Sequence, residues 1–155
     1  MNKRLYLYFF LLFVSCSYSF KSGYFKGSLS ISSLNNNTGN PDIERLLTER
    51  LVDAFIKDGR VELKMDSKGD YILEGVIDDY KRTPEAYTPG GEIESYRLSI
   101  GVRFSLKKKD KDESEWERSI LESFVYSVNS RELEAIDSVA SKIKSSLLRI
   151  MLEEW

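Results

Sequence analysis

The chain has 155 residues, 31% charged and 41% hydrophobic, with a formal net charge of -2, which suits one globular domain with one core. It contains no histidine, so the usual base near neutral pH and the commonest metal ligand are missing, and its single cysteine, Cys16, can form no internal disulfide. The nearly balanced charge argues against nucleic acid as a partner.

The N-terminus reads as a targeting segment. Lys3 and Arg4 precede an uninterrupted apolar run, Leu5 to Val14, and Ser15 and Cys16 follow it. Ten apolar residues are about half a membrane-spanning helix and the right size for the hydrophobic part of a secretory signal. A core thiol is a poor reading of Cys16, because nothing before it looks like mature structure, while an unpaired exported cysteine can also link two chains. The favoured reading is lipidation. "FVSC" resembles the bacterial lipobox, with Phe13 and Val14 in place of the usual leucine and small residue. Residues 1–15 are then a signal peptide and 16–27 a lipidated end and tether, while 28–155 form one domain. Removing 1–15 leaves 21 basic and 25 acidic residues, a net -4. Ser17 after the cysteine resembles the enteric pattern released toward the outer membrane. Two or more acyl chains anchor firmly where one holds only marginally.

Along the mature chain, "SLSISSL" (28–34) alternates as a half-buried strand, and "NNNTGNP" ends it with turn residues. Asn40 as N-cap and Pro41 at the first position predict a helix to Asp58, with Ile43, Leu47, Leu51, Ala54 and Phe55 on its apolar face and Gly59 as its cap. "YILEGVIDDYKR" (71–82) is a strand with apolar residues on both faces, as in the middle of a sheet. The prolines and glycines of "TPEAYTPGGEIE" predict a long hairpin loop. In "YRLSIGVRFSLK", Tyr96, Leu98, Ile100, Val102, Phe104 and Leu106 alternate strictly with mostly polar residues. "KKKDKDES" is a charged turn, Trp116 to Val128 another strand, and Leu133, Ile136, Val139, Ala140, Ile143, Leu147, Ile150 and Met151 the stripe of a last helix capped by Ser130. The order predicts an α+β fold: a two-layer sandwich, a four-stranded sheet with two helices packed on one face.

Little here supports catalysis, and no cofactor is expected. Asp78 and Asp79 are neighbours and should face opposite ways along a strand; Asp66, Asp70 and Glu74 match no calcium loop; "TPGGE" opens no helix for a phosphate; and a Ser-His-Asp relay lacks its histidine. Two surfaces stand out as candidates. One is the sheet face bearing Arg97 and Arg103, with Lys81 and Arg82 nearby if the strands pair, since guanidinium groups can grip phosphates or carboxylates in pairs; a merely solvated face is the competing reading. The other is Thr83 to Glu92, including Tyr87, because long loops in compact domains often carry function.

The ordered set "CSYSF", "SISSLNNNTGNPDIERLLTERL", "GDYILEGVIDDY", "YRLSIGVRF" and "EAIDSVASKI…LEEW" resembles the LptE family of lipopolysaccharide-assembly lipoproteins. The resemblance implies a non-enzymatic outer-membrane lipoprotein, lipid-anchored on the periplasmic side. It implies a plug inside a large β-barrel partner, LptD, which the lipoprotein helps to assemble, and contact with lipopolysaccharide on its way to the outer leaflet. It also implies that Arg131, where a relative carries a basic residue, is a contact, whereas "YTPGG" has no basic residue where some relatives do. The alternative from a different class is a periplasmic adaptor lipoprotein that activates or scaffolds an envelope enzyme or secretion machine. A hydrolase is a third and weaker reading.

Overall fold

The computed structural model describes residues 25–153. Cys16 and the targeting segment lie outside the described residues. Eight elements follow in order: β1 (Ser28–Ile31), β2 (Asn35–Asn36), α1 (Ile43–Asp58), β3 (Glu62–Leu63), β4 (Tyr71–Tyr87), β5 (Ile93–Lys108), β6 (Ser114–Ser127) and α2 (Glu132–Glu153). They build a mixed α+β fold with an open sheet in the order β3-β1-β4-β5-β6, with β2 also on β4. The β4–β5 and β5–β6 pairs are antiparallel, and β1 runs parallel to both β3 and β4.

The sheet has six strands, which corrects the four expected from periodicity. The first predicted strand is broken by Leu34, whose fully buried side chain enters the core while its N–H donates to Thr48 Oγ1 of α1 (3.1 Å). Both pieces still run along β4. The sixth strand is the two-residue β3, which pairs with the start of β1 and is too short to show a period. Ser30 Oγ ties this corner together: it accepts from Gly69 N (2.8 Å) and donates to Lys64 O (3.0 Å). Gly69 is required here, because a Cβ would lie 2.6 Å from Ser30 N. Phe25, the first described residue, is buried edge-on against Tyr71, with ring centroids 5.1 Å apart.

Both helices lie on the face formed by Leu73, Ile77, Leu98, Ile100, Val102, Phe104 and Leu106, and they bury Ile43, Leu47, Leu51, Phe55, Ile136, Val139, Ile143 and Leu147 against it. Helix α1 starts at Ile43, two residues later than predicted: Asn40 Oδ1 accepts from Asp42 N in a turn that precedes the helix. Gly59 closes α1 in the left-handed conformation, its N–H bonded to Phe55 O. The stripe of α2 holds except at Leu133, which is exposed. Beside Gly59, Asp58 joins the two helices: it accepts from Arg60 and, at 2.7 Å, from Lys144 of α2, and both members of the Asp58–Lys144 pair are largely covered. The Arg60 hydrogen bond is the chief reason the Asp58 carboxyl stays well below the ordinary carboxylate range, with Lys144 adding to it against the cost of burial.

The long loop predicted after Arg82 is instead strand. β4 continues to Tyr87, β5 begins at Ile93, and only Thr88–Glu92 turn. Pro84 is tolerated because β1 and β2 pair with β4 only as far as Ile77, so at Pro84 the outer edge of β4 is open and no ladder donor is lost there. A helix of 22 residues is about 33 Å long, matched by roughly ten strand residues. The 17-residue β4 therefore extends beyond the helices, and the end of the β4–β5 hairpin projects from the body.

Candidate functional site

Among the described residues, no element covers the sheet face opposite the helices. Along β4 the alternation changes step at a bulge between Ile77 and Asp79. Before the bulge, odd-numbered residues face the core; after it, Tyr80 and Arg82 do, and Lys81 faces outward opposite Ser99. The bulge also puts Asp78 and Asp79 together beside a shallow cleft of about 250 Å³ with Gly101, Arg103 and Leu121, so the opposite orientations expected of these aspartates do not occur. Asp79 lies opposite Gly101 in the strand register, where a Cβ would come 3.1 Å from the Asp79 Cβ.

Arg97, Arg103 and Lys81 thus share the outer face, each with a carboxylate. Arg97 Nε donates to Glu85 Oε2 at 2.9 Å, and Nη1 reaches Ser123 Oγ. Arg103 Nη2 lies 2.9 Å from Asp78 Oδ2, with Glu117 on its other side; Lys81 stands by Asp79, and Lys107 by Glu74 at 2.7 Å. The Glu85 carboxyl is lowered by its hydrogen bond from Arg97, and the Arg97 guanidinium is raised by the same bond. A second shallow cleft of about 320 Å³, lined by Glu74, Val76, Arg103, Lys107 and Glu117 among others, lies on the same face. Between these pairs Leu121 and Val125 stand out, 66% and 39% exposed. The surface is a charge-compensated ladder with apolar side chains between the rungs. A phosphate approaching these cations would have to displace a carboxylate.

Arg82 belongs to a different group. Its guanidinium carbon sits 3.8 Å from the Tyr96 ring centroid, and Nη1 lies 3.6 Å from Glu132 Oε2 at the start of α2. The Tyr80 hydroxyl donates to Glu132 Oε1. Burial, and then that hydrogen bond to a carboxylate, push the Tyr80 hydroxyl far above its ordinary range, and burial raises Tyr126 beside them. This cluster fastens the base of the projecting hairpin to α2. Arg131 is outside it, exposed just before α2 and paired with Glu134 of that helix at 3.2 Å. Tyr87 lies opposite Ile93 near the exposed tip. The hairpin from Thr83 to Ser95 carries Glu85, Glu92 and Glu94 and no basic residue.

The carboxylates that neutralise the arginines were not among the expected site residues. Arg97 lies opposite Thr83 and Glu85 falls at an irregularity between Pro84 and Ala86, so the Arg97–Glu85 pair, like that of Arg103 with Asp78 at the first bulge, depends on a break in the regular register. Among the described residues no three acidic or cysteine side chains converge as a metal site, and no helix is long and apolar enough to cross a membrane.

The described residues thus form an α+β domain with one sheet face that carries paired charges and exposed apolar groups. The family model for LptE, described as lipopolysaccharide-assembly, matches residues 27–153, and the chain belongs to that family. No curated protein sequence matches the chain. Among solved structures it is similar to the PelC dodecamer from Paraburkholderia phytofirmans, with 15% identity over 77% of this chain and 86% of that one and a TM-score of 0.55. The rare lipoprotein B from Shewanella oneidensis is 19% identical over 81% of this chain and 95% of that one, at TM-score 0.50. The minor lipoprotein from Acinetobacter baumannii is 15% identical over 82% and 93%, also at 0.50. At these identities the likeness concerns the fold.

Proposed function

We propose that this chain is an outer-membrane lipoprotein, anchored through Cys16 on the periplasmic side, that plugs and helps assemble an LptD-type β-barrel and takes part in lipopolysaccharide transport to the outer leaflet. Its role is non-enzymatic. Membership of the LptE family over nearly the whole described chain carries this reading. The open sheet face supports it in physical terms. A plug in a barrel lumen meets a polar wall, and a surface of alternating, internally paired charges can exchange hydrogen bonds with such a wall without stranding an unpaired ion. The projecting hairpin has the reach to touch the wall ahead of the body. Lipopolysaccharide contact, in this reading, draws on Arg82, Arg97, Arg103 and Arg131 only where a phosphate outcompetes the carboxylate already present.

Copurification tests it. Tagged full chain extracted in mild detergent is expected to bring down a large β-barrel protein, and its depletion to reduce surface lipopolysaccharide. A preparation that repeatedly brings down a periplasmic enzyme and no barrel, with surface lipopolysaccharide unchanged, contradicts it and favours the adaptor role.

A further inference from the structure

The last strand of the sheet, β6, pairs with β5 along one side, and among the described residues no strand pairs with its other side. The fourteen residues of β6, which include "SILESFVYS", thus have a side that pairs with no described strand, and such an edge ordinarily invites another strand. Which backbone groups face that edge can be deduced. Val128 N donates to Glu94 O of the chain leading into β5, and the register continues unbroken from there to Trp116 opposite Leu106. Even-numbered residues of β6 therefore bond to β5, and odd-numbered ones turn their N–H and C=O outward.

Two of those outward carbonyls are occupied by cations. Lys142 of α2 reaches over the edge and donates from Nζ to Ser123 O at 2.6 Å, with its ammonium 5.5 Å from the Phe124 ring centroid. Arg118 Nη1 donates to Glu117 O at 2.9 Å. The open stretch between them is Ser119 to Leu121.

We propose that Lys142 and Arg118 close the β6 edge against antiparallel pairing with a second copy of this chain. The occupant follows from charge and register. When β6 is set against itself with Ile120 opposite Ile120, Arg118 of each copy faces Glu122 of the other, and Trp116 faces Phe124; opposite charges and aromatic side chains directly across strands are favourable. In that register Glu117 and Ser123 become hydrogen-bonded partners. Their carbonyls are the two that Arg118 and Lys142 cover, so both caps must be released before this dimer can form.

The test uses the full chain in detergent, comparing wild type, Lys142→Ala, which keeps Arg118 so that it can move from Glu117 O to Glu122 of the other copy, and Lys142→Arg, with circular dichroism to confirm equal folding. Light scattering after size exclusion is expected to give a monomer for wild type and for Lys142→Arg, and a doubled protein mass for Lys142→Ala. Hydrogen exchange of the Ser119 and Leu121 amides is expected to slow at least tenfold in that dimer. A folded Lys142→Ala variant that stays monomeric at the same concentration overturns the proposal, as does a dimer whose Ser119 and Leu121 amides exchange as fast as in wild type, or a wild type already paired through β6.

Discussion

The Arg97 guanidinium and the Glu85 carboxylate meet at the base of the projecting hairpin, with Nε 2.9 Å from Oε2, so this arginine of the sheet face is already neutralised within its own fold. A side chain held this way is a structural strut first and an anion receptor only after its partner is removed. The same holds for Arg103 with Asp78.

This relationship predicts the effect of deleting the carboxylate. Glu85→Gln frees the Arg97 guanidinium and is expected to raise binding of a phosphorylated lipid to the purified full chain by roughly two- to fivefold at low salt, with the gain fading as salt is added. Thermal stability should hardly change, because an exposed pair contributes little. Titration with lipopolysaccharide micelles of wild type, Glu85→Gln and the double variant Glu85→Gln with Arg97→Gln measures it, and the double variant should lose the gain.

Asp58 and Lys144 couple the two helices from largely covered positions, and here the stability effect should be clear. Asp58→Asn weakens two charge-assisted hydrogen bonds and is expected to lower stability by about 1–3 kcal/mol. For a chain this size that is a fall in melting temperature of several degrees. The pH dependence has a definite sign. Because the folded carboxyl is depressed, its contribution is complete above the unfolded value of about 4 and is lost as the pH falls below it. Denaturation midpoints at pH 7 and pH 3 should therefore differ more for wild type than for Asp58→Asn.

Ser30 and Gly69 make the corner where β1 starts. Ser30→Ala leaves the buried Gly69 N–H without its acceptor and is expected to cost about 1–3 kcal/mol. Gly69→Ala drives a methyl into the β1 backbone and should cost at least as much. Chemical denaturation of each variant checks this, and Gly39→Ala, where a Cβ meets nothing within 4 Å, serves as the control.

Tyr80 should titrate late. Burial and its bond to Glu132 raise it, so absorbance at alkaline pH is expected to show one tyrosine ionising well above the ordinary value of about 10. Glu132→Gln should bring that step down part of the way, with burial maintaining the remainder. By linkage, the folded chain loses stability as the pH rises above about 10, where the unfolded tyrosine ionises first. Tyr80→Phe should lessen that loss.

The periodic parts of the fold were legible in the sequence, and the irregular ones were not. Alternation from Tyr96 to Leu106 and the 3.6-residue stripes of both helices follow directly from which side chains the core takes. Leu34 breaks the first strand because a tertiary contact with α1 outweighs a local pattern. Pro84 suggested a loop, yet an open strand edge accepts proline. The arginine site was half legible for a related reason. One extra residue at Asp78 reverses the facing of the residues that follow it, so Arg82 moves to the helix side and Lys81 comes to the face of Arg97 and Arg103.

The most direct test of the assembly role is site-specific crosslinking in cells, with a photoreactive residue placed in turn at Leu121, Arg103 and Tyr87. High-mass adducts that contain an outer-membrane β-barrel protein are expected from all three positions. Adducts only with soluble periplasmic proteins, or none from the sheet face while surface lipopolysaccharide remains normal, would contradict it.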